Sequence, residues 1–325
     1  MWRLRRHRKA DLREPVAYAG TMSEDAAEDA ALVAMLRTLP KGHRWAEVIE
    51  RILEAGSAMA AWSRETEDVL IPDPGHADAY DQALRDVAEW RSRNWRFLGF
   101  TDAEYPERVR EIHQAPPFLF AAGNVRADDP AVAVVGSRKA SSRGLSIATS
   151  VATRLAGDGI TVLSGLAEGI DTAAHTAALA AGGRTVAVIG TGIAKYYPAS
   201  NRPLQDEIAK TGFVLSQFWP EGPVQKHNFL MRNAVMSGYG RATVVVEAGE
   251  NSGARAQARM AVEHGRPVIL TDQVVSANEW AQALVDRPGV FVATGLAEVM
   301  SRVHEVLDRD TAADKLLGEL AGAGL

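Results

Sequence analysis

The run AVAVVGSRKASSRGLSIATSVATRLAGDGITVLSGLAEGIDTAAH, which ends at His175, leaves few folds open to this chain. Residues 131–135 form an unbroken apolar stretch, the pattern of a strand buried on both faces. The stretch breaks at Gly136-Ser137-Arg138, and helical spacing follows over about residues 142–156. A second apolar stretch, 160–163, ends in Ser164-Gly165 and leads through Gly169-Ile170-Asp171 into another helix. Two consecutive strand–helix units imply a parallel sheet, because each helix carries the chain back to the end where the next strand starts. In such sheets ligands bind at the loops that follow the carboxyl ends of the strands.

The alternation continues downstream. Strands are expected at 185–189, 212–215, 242–246, 267–270 and 289–293, with helices over 203–210, around 232–237, and over 253–264 and 296–307. Upstream come a helix over 77–93 and a strand-like stretch at 95–100, and the segment 115–124 reads as a strand feeding the sheet. Between residues 23 and 62, Leu32, Val33, Leu36, Val48, Ile49, Ile52 and Leu53 recur at helical spacing, broken by Leu39-Pro40-Lys41-Gly42. Pro72, Pro74 and Gly75 mark a linker. The expected organisation is a basic arm at 1–22, readable as a disordered terminus, then a small helical module at 23–72. An α/β domain follows at 77–308, its mostly parallel sheet flanked by helices on both faces, with a helix-prone tail at 309–325.

Composition works by exclusion. There is no cysteine, which removes disulfides, thiol nucleophiles and Cys-based zinc sites and fits a reducing compartment. No apolar run approaches the roughly 20 residues that span a bilayer, and the basic start MWRLRRHRK lacks the apolar core of a signal peptide. A cytoplasmic protein without membrane contact is expected. The histidines lack ligand spacing, so neither a metal nor a cofactor is expected. A net charge of −5 excludes a uniformly basic nucleic-acid coat. The charge is nevertheless uneven. No acid falls between Asp129 and Asp158, where Arg138, Lys139, Arg143 and Arg154 lie, nor between Glu221 and Glu247, where Lys226, His227, Arg232 and Arg241 lie. A segregated positive surface and a chance feature of an α/β core both account for these windows.

The expected strand ends share a chemistry: Gly136-Ser137, Ser164-Gly165, Gly190-Thr191-Gly192, Ser216 and Ser252-Gly253. Aligned along one sheet edge, they offer unobstructed backbone amides and hydroxyls beside helix N-termini, which suits phosphate oxygens. Ordinary turn chemistry is the alternative at any single one of them. Arg138 adds a charge-assisted phosphate contact. Lys195, ahead of Tyr196-Tyr197-Pro198, combines charge with aromatic surface for stacking, and Arg232-Asn233 places an arginine facing the same edge. Asp171 and His175, four apart on one helix face, read either as an acid/base pair or as structural groups near the site. No third residue is placed to act as nucleophile, so a catalytic role is not expected.

These motifs, GSR followed by Gly144, SGLA-x-GID-x3-H at 164–175, Tyr197-Pro198, Arg232-Asn233, VVVEA at 244–248 and Ser252-Gly253, resemble in order and spacing the DNA-processing protein A (DprA/Smf) family. The upstream YP-x2-V at Tyr105 and PPFLFAAGN at 116–124 are similar to that family too, and the likeness covers roughly residues 100–270. The resemblance implies an extended Rossmann-like domain preceded by a small helical (SAM-like) domain. It also implies a homodimer that binds single-stranded DNA and loads the RecA recombinase on it during natural transformation. Carried over, the DNA-contacting set is Gly136, Ser137, Arg138, Ser164, Gly165, Lys195 and Arg232. The strand-edge reading adds Lys139, Gly192, Asn233, Ser252 and Gly253. A nucleotide-binding sensor or phosphoribohydrolase on a related fold is the alternative, although Glu247-Ala248-Gly249-Glu250 stands where those hydrolases carry PGG-x-GT-x2-E.

The chain departs from the family pattern at several points. Arg143 replaces a tyrosine, Gln217 follows Ser216, Ala234 replaces an arginine, SGARAQA occupies 252–258, and Thr271-Asp272 replaces Pro-Gly. No C-terminal winged-helix-like module is expected. Arg255 and Arg259 offer compensation for the charge lost at Ala234.

Overall fold

The computed structural model of the chain describes residues 23–67 and 74–322; the basic arm and Pro72 of the expected linker lie outside them. Four helices come first: α1 (Glu24–Thr38), α2 (Trp45–Ala55), α3 (Ala58–Glu67) and α4 (Pro74–Ser92). An antiparallel pair follows, β1 (Trp95–Gly99) and β2 (Phe118–Gly123), with the short α5 (Glu107–Arg110) between them. Strands and helices then alternate: β3 (Ala131–Gly136), α6 (Ser142–Gly157), β4 (Thr161–Ser164), α7 (Ile170–Ala180), β5 (Thr185–Val188), α8 (Arg202–Thr211), β6 (Phe213–Ser216), α9 (Lys226–Tyr239), β7 (Ala242–Glu247), α10 (Gly253–Glu263) and β8 (Val268–Thr271). The last elements are α11 (Asp272–Ala277), α12 (Glu279–Val285), β9 (Val290–Ala293) and α13 (Leu296–Gly322).

The nine strands form one sheet in the order β1-β2-β6-β5-β4-β3-β7-β8-β9. Every pairing from β6 across to β9 is parallel, and only the β1–β2–β6 margin is antiparallel. This is the extended Rossmann-like arrangement. The strand order reverses between β3 and β7, which places a crevice at their carboxyl ends.

The apolar run at β3 is explained by its neighbours on both faces. Ala131, Ala133 and Val135 join one hydrophobic cluster, with Val235, Met236 and Ala258 from α9 and α10. The alternate residues Val132 and Val134 join the opposite cluster, with Val151, Leu155 and Ala174 from α6 and α7. A period of two over a strand covered on both sides yields an uninterrupted apolar sequence.

β2 performs the same division at the other margin. Leu119 and Ala121 face the sheet core, whereas Phe118 and Phe120 face the N-terminal helices. There they meet an aromatic layer, with Phe118 5.3 Å from both Trp45 and Phe97 and 4.6 Å from Trp219, and Trp90 set edge-on to Phe120 at 4.8 Å. The helices therefore close over the sheet face through a continuous apolar contact.

Two sequence expectations are corrected. Pro74 and Gly75 form the first turn of α4 rather than a linker, a position where proline's fixed φ and missing N–H are tolerated. Residues 309–322 continue α13 without a break instead of forming a separate tail, and Asp310 on this extension pairs with Arg108 and Arg241, each at 3.2 Å.

Asp29 on α1 is nine-tenths buried beneath Arg91 of α4, whose Nη2 lies 2.8 Å away. Burial, with Asp102 nearby, pushes its carboxyl up to about 7 against the opposing pull of Arg91. The folded state thus holds this proton more tightly than the unfolded chain, which releases it near the ordinary 3.8. Stability contributed by Asp29 is therefore present at low pH and is lost as pH rises towards 7. Asp29→Asn should flatten the decline in denaturant midpoint between about pH 4 and 7; an undiminished slope would assign it to other groups. Phe118→Ala, which empties the centre of the aromatic layer, should cost ~3–5 kcal/mol by equilibrium denaturation.

Candidate nucleic-acid interface

Because β3 to β7 run parallel, the loops that follow them all emerge at one edge of the sheet, so the expected turns do converge. Their residues then divide into an outer layer, open to solvent, and a buried layer beneath it.

Arg138 and Lys139 are the open cations of the first loop. Both are exposed, and neither makes an ion pair among the described residues. The loop beneath them is fixed: Ser137 N donates to Glu247 O at 2.7 Å, and Ser137 Oγ accepts from Lys139 N at 3.1 Å. A register shift between Val135 and Gly136 turns the chain out of the sheet here. The Arg138 guanidinium lies 5.4 Å from the Phe229 ring centroid, and Phe229 lies 5.4 Å from Tyr197, which is 42% exposed. Arg138, Phe229 and Tyr197 thus form a contiguous chain of cation and aromatic rings along the edge. Leu230 and Met231 beside Phe229, and Val224 before α9, are exposed as well.

α9 begins with Lys226 and His227, both exposed, and has no acid in its first turn. Cations at a helix N-terminus oppose the helix dipole, an arrangement that an anionic ligand relieves. Lys195 is half-buried and held by Glu221, its Nζ 2.5 Å from the carboxylate.

Arg232 departs from expectation. It is buried, with Nη1 donating to Gly165 O at 2.5 Å and Val188 O at 2.7 Å and Nε donating to Asn233 Oδ1 at 3.1 Å. Burial, with a smaller contribution from Arg138, lowers its guanidinium to about 10 while Asp171 opposes the shift, so it stays charged at neutral pH. Gly165 must lack a side chain because a Cβ there would overlap that guanidinium. Asp171 accepts from Gly165 N at 3.1 Å and Ala167 N at 3.3 Å, and its own burial raises its carboxyl despite Arg232 and these amides. His175 Nδ1 meets Thr185 Oγ1 at 2.7 Å; because that hydroxyl donates to Val162 O, the imidazole is the donor. Burial and the Arg232 charge push His175 down to about 3, so it is neutral.

Ser164, Gly165, Gly192 and Asn233, expected as contacts, are likewise buried. Ser164 Oγ donates to Val134 O at 2.7 Å, and Asn233 Nδ2 donates to Gly253 O at 3.4 Å. Ser252 Oγ caps α10 by accepting from Arg255 N at 3.2 Å, with Gly253 as the helix's first residue. Ser164, Gly165, Gly192 and Asn233 shape the edge from below, while Ser252 is half-buried and Gly253 exposed, a division between layers that strand-end spacing does not reveal.

The acid-free windows also divide. Arg154 pairs with Asp158, and Arg241 with Asp128 and Asp310, all at the amino end of the sheet. Arg255 and Arg259 are matched by Glu250 and Glu263 and do not replace the missing charge, while Ala234 is buried in the core. Spacing alone could not single out Phe229, the ring that links Arg138 to Tyr197. Its only sequence signal was an aromatic residue among Val224, Leu230 and Met231 in an acid-free window. No cluster of metal-ligating side chains occurs among the described residues, and none of their helices is long and apolar enough to cross a membrane.

The profile of the family described as DNA recombination-mediator protein A matches residues 96–308. The chain is 44% identical over 166 residues to DNA processing protein DprA of Streptococcus pneumoniae, covering 51% of this chain and 58% of that one. It is 33% identical over 192 residues to the DprA of Bacillus subtilis, covering 58% and 65%. The matches thus span less than two thirds of these relatives. Among solved structures, that of the S. pneumoniae DprA superposes with a TM-score of 0.60 at 29% identity, over 85% of this chain and 95% of that one. DNA processing protein A from Helicobacter pylori, whose structure concerns its single-stranded DNA binding mode, shares the fold with a TM-score of 0.58 at 22% identity, over 66% and 96%.

The layering makes a stability contrast. Arg232→Ala leaves Asp171 buried without its countercharge and should cost ~3–5 kcal/mol. Arg138→Ala, on the surface, should change stability by no more than about 0.5 kcal/mol. Urea denaturation of the two variants beside wild type measures both, and equal effects would abolish the distinction.

Proposed function

The chain belongs to the DNA recombination-mediator protein A (DprA/Smf) family, and from that membership we propose that it binds single-stranded DNA along the carboxyl edge of its sheet. The observation that carries this reading is the row formed by exposed Arg138, half-buried Phe229 and exposed Tyr197, with Lys139, which makes no ion pair among the described residues, at its side. A single strand offers alternating phosphates and unstacked bases, and a row that alternates cation with aromatic ring matches both. Gly136, Ser137, Arg138, Lys139 and Lys195 are the contact residues in this proposal, with Lys226 added. Ser164, Gly165, Gly192, Arg232 and Asn233 hold the surface in shape, and half-buried Ser252 and exposed Gly253 at the start of α10 stay among the proposed contacts.

The edge acts as a binding surface and not as a catalytic centre, a reading supported by the burial and internal bonding of Asp171 and His175. The recombination-mediator description of the family supports a role in loading RecA on the bound strand, and the proposal places the protein in the cytoplasm as a homodimer. Faster RecA filament growth on single-stranded DNA in the presence of the protein is the expected result, and an unchanged rate would remove RecA from the proposal.

Three or four surface cations give a salt dependence with a log–log slope of roughly −2 to −3 for a single strand. Arg138→Ala and Lys139→Ala should each weaken binding of a labelled oligothymidylate and lower that slope by about 0.7. Phe229→Ala should weaken binding by ~1–3 kcal/mol with little change in slope. Fluorescence anisotropy across a salt series measures all three, and variants that bind like wild type would sink the proposed surface.

A further inference from the structure

At the strand-order reversal the first strand of a Rossmann-like sheet ordinarily presents a helix N-terminus to a nucleotide phosphate. In this chain the corresponding helix, α6, has no acid in its own first turn. A carboxylate reaches it from the neighbouring strand: Glu247, the last residue of β7, accepts from Ser141 N at 3.0 and 3.2 Å through its two oxygens and also receives the Ser141 hydroxyl. Ser141 in turn caps α6, its Oγ accepting from Gly144 N at 3.0 Å. The carboxylate sits so close to the first turn that a Cβ at Gly144 would overlap it. The backbone carbonyl of Glu247 is bound as well, by Ser137 N at 2.7 Å, so the side chain is anchored at its root.

We propose that Glu247 is a specificity-determining residue: its carboxylate fills the phosphate position at the α6 N-terminus and closes the β3/β7 crevice to mononucleotides and dinucleotides. Its negative charge and its hydrogen bonds both reproduce what a phosphate group would supply, so a free nucleotide gains nothing by entering and meets a like charge when it does. The outer cations, Arg138 and Lys139, stay available to phosphates that approach along the rim. This discrimination stands whether or not the rim holds DNA, because it concerns the inner crevice alone.

The test is titration of wild type, Glu247→Gln and Glu247→Ala with inorganic phosphate, AMP and NAD, followed by calorimetry and by amide chemical shifts of residues 141–144. Opening the crevice should let Glu247→Ala take phosphate and AMP roughly tenfold more tightly than wild type, with shifts centred on Ser141 and Gly144. Glu247→Gln, which keeps the bulk and removes the charge, should fall between them. Ser141→Ala, which removes one hydrogen bond and leaves the carboxylate in place, should stay closed. A folded Glu247→Ala that binds phosphate and AMP no better than wild type overturns the proposal. Wild type binding AMP or NAD with shifts at residues 141–144 overturns it without recourse to any variant. Oligonucleotide binding, followed in parallel, reports separately on the rim.

Discussion

The edge of this sheet depends on one buried cation. Arg232 lies in α9 and spends Nη1 on two carbonyls, Gly165 after β4 and Val188 at the end of β5, with Asp171 of α7 supplying the opposing charge. A buried guanidinium is costly unless its donors and its charge are both answered, and here three separate segments answer them. The consequence is mechanical. The Ser164–Gly165 turn cannot move without stranding a charge, and Phe229, one helical turn before Arg232, is held where it meets Arg138. The surface row owes its geometry to the ionic layer beneath it.

That dependence explains what could be read from the sequence. Strand and helix order were legible because strands covered on both faces give unbroken apolar runs, as at β3 and β7, and because glycine and serine punctuate their ends. The convergence of the loops followed from parallelism alone. The layer to which each loop residue belongs was not legible: Arg232 and Arg138 are both arginines next to polar residues, and only packing of α9 against the β4 and β5 ends buries the first and leaves the second exposed. Pro74 and Gly75 looked like a linker because nothing local reveals that Trp90 and Val87, further along α4, have an aromatic layer to cover. The helical character of the segment past residue 308 was legible, but the pairing of Asp310 with Arg108 and Arg241, partners distant in sequence, was not.

The charge distribution resolves a tension in the composition. A chain with net charge −5 presents a cationic rim because its arginines at the amino end of the sheet are matched by acids, as Arg154 is by Asp158 and Arg241 by Asp128 and Asp310, whereas Arg138 and Lys139 have no acidic partner among the described residues. Position relative to carboxylates, and not the count of basic residues, sets the local potential.

Such a rim cannot hold a nucleic acid by charge alone. Lys195 must leave Glu221 before it meets a phosphate, and Ala234 adds no charge where the family pattern carries an arginine. In the proposed binding, with so few unpaired cations among the described residues of the rim, the aromatic and apolar members of the row, Phe229 and Tyr197 with Leu230 and Met231 beside them, would carry a large share of the affinity. Stacking is indifferent to base identity and weakly dependent on salt. A surface built this way favours unpaired strands over duplex for a physical reason: the faces of paired bases are already covered, while those of a single strand are free to meet a ring.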